Sequence, residues 1–201
     1  MADKITIEVF RKKLPDELTK ALSEADSRTD IGSGAALTGA VAASYLIRAA
    51  ALTANAGESD NGERLAYLQR NGEILRSYMV HLIDEDVKSK RPFARAQKEG
   101  GLREIEATIQ TASCIDAEIV NMMKPCLEFL EELCPLCPAD DKHFIREAAE
   151  LAMSAIRVAQ SVIFTYASMS TDETYRFVTR RENEVFLSER TALYESIVSK
   201  L

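Results

Sequence analysis

Residues 29–57 read TDIGSGAALTGAVAASYLIRAAALTANAG. A glycine–serine–glycine turn leads into an uncharged run of 17 residues, Ile31 to Ile47, in which most side chains are tiny. Three structures could use such a stretch. A phosphate-cradling loop is excluded, because no Lys-Ser or Lys-Thr follows the last glycine. A dinucleotide fingerprint is excluded as well: no strand precedes it, and Leu37 stands where the third glycine belongs. A membrane span needs roughly 20 strongly apolar residues, whereas this run is dominated by Ala, Gly, Ser and Thr and is closed by Arg48. A buried core helix over about 33–55 is the remaining reading.

The spacing supports it. Ala35, Gly39 and Ala43 recur every four residues, as do Ala36, Ala40 and Ser44. Side chains four apart share a face, so two adjacent faces carry almost no bulk. Neighbouring helices can then approach toward the short end of the usual ~8–10 Å separation. A helix this slim is expected at the centre, packed on several sides. Its first N–H groups, at Gly32, Ser33 and Gly34, carry partial positive charge and suit a carboxylate or other anion. A plain Ser/Gly helix start explains the same residues without a ligand.

The rest of the chain fits one all-α domain covering residues 1–201, a multi-helix bundle. Gly and Pro are sparse, 8 and 5 in 201 residues, and helical periodicity recurs without hairpin alternation. Helices are expected at about 4–24 (with a fresh start at Pro15), 63–89, 102–133 and 142–169. A final helix opens at STDE, residues 170–173, read as a capping box with Ser170 as the cap. RPFARAQKEGG, residues 91–101, is expected to break the long third helix.

Composition narrows the function. Hydrophobic residues make up 46% and charged residues 28%, with net charge -7. An acidic chain argues against nucleic-acid binding, and no basic patch suits an anionic membrane. No secretory signal is read at the N-terminus, and a cytoplasmic location is expected. Cysteines stand at 114, 126, 134 and 137. CPLC, residues 134–137, lacks the second pair that zinc sites use. It follows a helical stretch rather than a strand, unlike a thioredoxin-type motif. A cysteine-containing turn is the preferred reading.

One acid stands out. The long helix carries an apolar stripe of Leu65, Leu68, Gly72, Leu75, Met79 and Leu82, and the same spacing next reaches Asp86 in HLIDEDVKS. A carboxylate on a core-facing stripe must be paired, hydrogen-bonded or functional. Structurally, it is expected to serve as a cap or to pair with an arginine such as Arg48 or Arg157. Functionally, it is a desolvated acid lining a cavity between helices. Asp84 and Glu85 are expected to face elsewhere, toward solvent.

GSGAALTGAVAASYLIRAAALT, then LIDED, then REAAELAMSAIRVAQSVIFTYASMSTDE together resemble the cyclodeaminase/cyclohydrolase family of one-carbon folate metabolism, over nearly the whole chain. The resemblance implies an all-helical homodimer that binds a tetrahydrofolate derivative among its helices, with no metal or redox cofactor required. It implies release of ammonia from 5-formiminotetrahydrofolate to give the methenyl form, or hydrolysis of the methenyl form. Gly32 and Ser33 match the family's last glycine and serine, while Thr29, Asp30 and Ile31 replace a proline and two glycines. Asp84, Glu85 and Asp86 match its acidic stretch. Ser89 and Lys90 stand where an aromatic is usual, and AGESDNGE replaces a lysine-rich turn. On this basis Asp86 is the candidate acid/base, with Asp84 as the fallback, and Gly32, Ser33 and Gly34 are candidate substrate-binding residues. The alternatives are an inactive or altered-substrate homodimer that holds a pterin-like ligand, or an assembly protein built on its amphipathic helices.

Overall fold

The structure is a computed structural model that describes residues 15–24, 31–57 and 61–201. Among these residues there are six α-helices and no strand. They are α1 Pro15–Ser23, α2 Ile31–Asn55, α3 Gly62–Glu99, α4 Leu102–Leu133, α5 Lys142–Met169 and α6 Glu173–Ser199, with a short 3-10 turn at Ala139–Asp141 before α5. The expected segment 4–14, and the Thr29–Asp30 positions, lie outside the described residues.

The small-residue helix is central. α2 packs against α3, α4 and α5, and α6 lies outside on α4 and α5. Ala35, Ala36, Ala42, Ala43, Leu46, Ala49 and Ala50 are all buried. The helix is long and apolar enough to cross a membrane by composition, but half of that apolar stretch is buried against neighbouring helices. It begins at Ile31, so Gly32, Ser33 and Gly34 form its first turn rather than a loop before it. It ends at Asn55, where Gly57 takes φ 73°. That left-handed conformation suits glycine at a helix C-terminus.

The glycines on the packing faces show how close the helices come. A Cβ on Gly39 would collide with the Met79 methyl and lie 3.1 Å from Met123 Sδ. A Cβ on Gly72 would lie 2.7 Å from Ile47 Cγ1. The α3 stripe is buried from Leu65 through Leu82, as its spacing requires.

Two boundaries differ from expectation. Pro92 does not end α3, which runs on to Glu99 and stops at the Gly100–Gly101 pair. The buried stripe continues through Asp86, Lys90, Phe93 and Ala96. Phe93 meets Tyr166 of α5 edge-to-face at 5.0 Å. That docking offsets the one intrahelical bond a proline removes. At α6 the cap is Asp172, whose carboxylate accepts from the Tyr175 N–H at 3.1 Å. Ser170 instead donates to Glu106 on α4, and Glu106 also accepts from the Thr171 N–H at 2.8 Å. The Ser170 hydroxyl, then the Thr171 N–H, hold the Glu106 carboxyl below its ordinary value. The cap shifts because a long-range acid claims the serine that local spacing had assigned to it.

The two packing glycines should respond differently to alanine, although each gains ~1 kcal/mol of helix propensity. At Gly39 the obstacles are flexible methionine ends, and Gly39→Ala is expected within about 1 kcal/mol of wild type. At Gly72 the obstacle is Ile47 Cγ1, one bond from the branched Cβ and so held close to the backbone, and Gly72→Ala is expected to cost about 1–3 kcal/mol. Urea unfolding of both variants checks the order.

Candidate functional site

Ser33 is fully buried in the first turn of α2. Its hydroxyl is shared between Asp86 Oδ2 at 2.9 Å and the Ile83 carbonyl oxygen at 3.1 Å. Two segments read as site candidates are thereby joined across 53 residues of sequence. Asp86 also accepts from Lys90 Nζ at 2.5 Å through Oδ1. Lys90 Nζ lies 3.5 Å from Asp116 Oδ2 on α4. The two carboxylates have no exposed surface, and the Lys90 side chain is 9% exposed. Three helices thus contribute to one buried polar cluster.

Gly32 is what lets the cluster assemble. A Cβ there would collide with Asp86 Oδ1, and it would lie 2.6 Å from Asp116 Oδ1 and 2.7 Å from Asp86 Cγ. The α2 backbone therefore rests directly against both acids. Negative charge at a helix N-terminus is favourable, because the first N–H groups carry partial positive charge. The place read from sequence as an anion site is lined by the protein's own carboxylates.

The other candidates fall differently. Gly34 faces α1, with Leu22 Cδ2 at 3.9 Å from where its Cβ would be, and takes no part in the cluster. Asp84 is buried, not solvent-facing as expected. It lies about 200° around α3 from Asp86, and α3 is covered by both α2 and α4, so more than one narrow stripe is enclosed. Glu85 is half-buried and accepts from Lys88 Nζ at 2.6 Å. The expected arginine partners of Asp86 are engaged or placed elsewhere. Arg48 stacks over the Phe144 ring at 4.5 Å, and Arg157 is exposed. Lys90, one turn along the same helix, takes that role instead. Lys90 and Asp116 are the two members that sequence reading missed as partners. Lys90 does lie four residues beyond Asp86 and on the same face, which was a readable signal. For Asp116 the signal was an acid between the apolar positions Ala112 and Ile119 of α4.

The cysteines form no comparable site. Cys126, Cys134 and Cys137 are buried and unbridged. Burial pushes the Cys126 thiol up to about 12 and raises Cys134 and Cys137 as well. Reactive dithiols need the opposite shift. Cys134 Sγ instead donates to the Leu130 carbonyl at 3.3 Å, as part of the turn that closes α4. His143 turns its Nδ1 to the Asp140 carbonyl at 2.8 Å. Among the described residues, no group of three or more His, Cys, Asp or Glu side chains could hold a metal.

Two outcomes follow from this geometry. Gly32→Ala must push two short carboxylates out of a hydrogen-bonded network and is expected to cost about 2–4 kcal/mol, more than Gly72→Ala, in the same urea measurement. A thiol reagent on the native protein should label one cysteine quickly, Cys114, and all four only after unfolding.

A family model described as formiminotransferase-cyclodeaminase matches residues 16–184, from α1 into α6. The crystal structure of formiminotetrahydrofolate cyclodeaminase from Thermotoga maritima superposes with a TM-score of 0.87, over 94% of this chain and 96% of that one. Identity between the two is 18%, so the likeness is one of fold. No individually curated protein matches in sequence. The family match spans the small-residue helix, the acidic stretch of α3 and the helices packed around them. The chain belongs to the formiminotransferase-cyclodeaminase family.

Proposed function

We propose that this protein acts on a tetrahydrofolate-bound one-carbon unit as a cyclodeaminase, converting 5-formiminotetrahydrofolate to the 5,10-methenyl form with release of ammonia. The observation that carries the reading is the 2.9 Å contact between Ser33 and Asp86. It joins the helix start and the acidic stretch that together mark the family. The reaction closes a ring: N10 attacks the formimino carbon, a tetrahedral centre forms, and the C–N bond to the departing amine breaks. One proton must leave N10 and one must reach the amine. Asp86 is assigned as the group that accepts or delivers such a proton. The reacting carbon carries positive charge in the protonated substrate and in the methenyl product, so a carboxylate beside it favours the protonated, electrophilic form of the substrate and the product. The proposal requires no metal or redox cofactor. Asp86 is fully covered, so its contact with a bound folate requires a local opening of the helices around it.

The proposal includes a homodimer. The first half of α6 supports this, because it leaves Phe177 71%, Val178 42% and Val185 43% exposed on a helix whose buried residues are Asn183, Arg190 and Ile197. Exposed apolar surface of this kind marks an interaction face.

A second reading has its own support. Asp86 is already satisfied by Ser33 and by a lysine at 2.5 Å. That arrangement suits a structural anchor in a family member that binds a pterin-like ligand without turning it over.

One experiment separates the two. Purified protein is mixed with 5-formiminotetrahydrofolate while the near-ultraviolet absorbance of the methenyl product and the ammonia released are followed. Cyclodeaminase activity gives both in equal amounts, and Asp86→Asn should lower kcat by about 10²- to 10⁴-fold. A melting temperature raised by 5-formyltetrahydrofolate with no product identifies the binding-only reading. Neither product nor thermal shift removes folate from consideration.

A further inference from the structure

We propose that Asp116 is the second proton-transfer carboxylate of this site and that Lys90 is the positioning residue that couples it to Asp86. The inference rests on the cyclodeaminase reading and extends it to two residues on different helices. Lys90 Nζ contacts Asp86 at 2.5 Å and Asp116 at 3.5 Å. Oδ1 of each acid reaches the same point, the position a Gly32 side chain would fill. The carboxylates of α3 and α4 therefore converge on one spot at the first turn of α2, with one ammonium bridging them.

Ring closure needs two proton transfers, one at each of two nitrogens bonded to the same carbon. Two acids brought to one place can divide that labour, one accepting and one donating. Asp86, which accepts from both Ser33 and Lys90, is held as the charged member and takes the proton from N10 as the new C–N bond forms. Asp116 gives a proton to the departing NH2 group, which leaves as ammonia with the electron pair of its C–N bond. Asp86 has then gained one proton and Asp116 has lost one. Lys90 contacts both and resets the pair by passing a proton along, so the cycle balances without a further reactant. Lys90 touches no reacting atom in this scheme.

The test combines kinetics with a double-mutant cycle. Asp116→Asn and Lys90→Met are assayed for methenyl formation, and Lys90→Met, Asp86→Asn and the double variant are melted. The expected result is a fall in kcat of about 10²-fold or more for Asp116→Asn, with KM nearly unchanged. Lys90→Met should lower kcat similarly in its folded fraction, an effect that packing alone does not produce. Lys90→Met should also melt lower by on the order of 10 °C, since it strips a buried acid of its cation. The double variant should melt higher than Lys90→Met alone, because removing the acid's charge relieves the loss. Wild-type kcat in Asp116→Asn overturns the acid assignment, and additive melting losses overturn the coupling. Either can occur with an active wild-type enzyme and leaves the cyclodeaminase reading standing. An inactive wild type overturns that reading and the proton-transfer role of Asp116 together, while the melting cycle still decides the role of Lys90.

Discussion

The close approach of the Gly32 backbone to Asp86 and Asp116 is the constraint on which the arrangement depends. Two carboxylates, an ammonium and a serine hydroxyl are withdrawn from water at the start of the central helix. Such groups are tolerated inside a protein only when they satisfy one another in good geometry. The glycine makes the geometry possible, since a single methyl group would overlap both acids. Ser33 and Lys90 direct the Asp86 oxygens, and the positive end of α2 favours charge there. The first turn of α2 therefore touches α3 and α4 through polar groups, where the rest of the helix touches them through apolar ones.

The remainder of α2 makes that point reachable. Its faces are nearly bare of side-chain volume, so α3, α4 and α5 close around it. Met79 and Met123 fill the space beside Gly39, and Ile47 fills the space beside Gly72. Methionine and small residues serve this role well, because one adapts to irregular gaps and the other creates close backbone contact. Chemistry and packing therefore meet in one helix: the face that admits neighbouring helices also brings their acids to the first turn.

The outer helix follows another logic. α6 buries Asn183 and Arg190 alongside Ile197. Asn183 offers its backbone carbonyl to Gln160 of α5 at 2.5 Å, and Arg190 lies over the Phe186 ring at 4.9 Å. Burial lowers the tendency of Arg190 to hold its proton, with Glu189 and Glu128 acting in the opposite direction. Polar groups thus hold α6 in place while part of its apolar surface, Phe177 above all, faces outward. An amphipathic pattern alone does not tell which half of such a helix is covered.

By itself, the sequence determined the all-helical class, the central place of α2, the buried stripe of α3 and the anomaly of Asp86. Each is a matter of local periodicity, and side-chain spacing reports which face a residue occupies. The partners were decided only in three dimensions. Asp86 pairs with Lys90 and not with Arg48 or Arg157, Ser170 serves Glu106 instead of capping α6, and Pro92 sits within a helix that tertiary docking keeps intact. Asp116 joined the site because α4 crosses the first turn of α2, and the spacing of residues within one helix holds no record of which other helix crosses it. Burial and charge pairing depend on distances between segments far apart in the chain, and those distances exist only once the helices have packed.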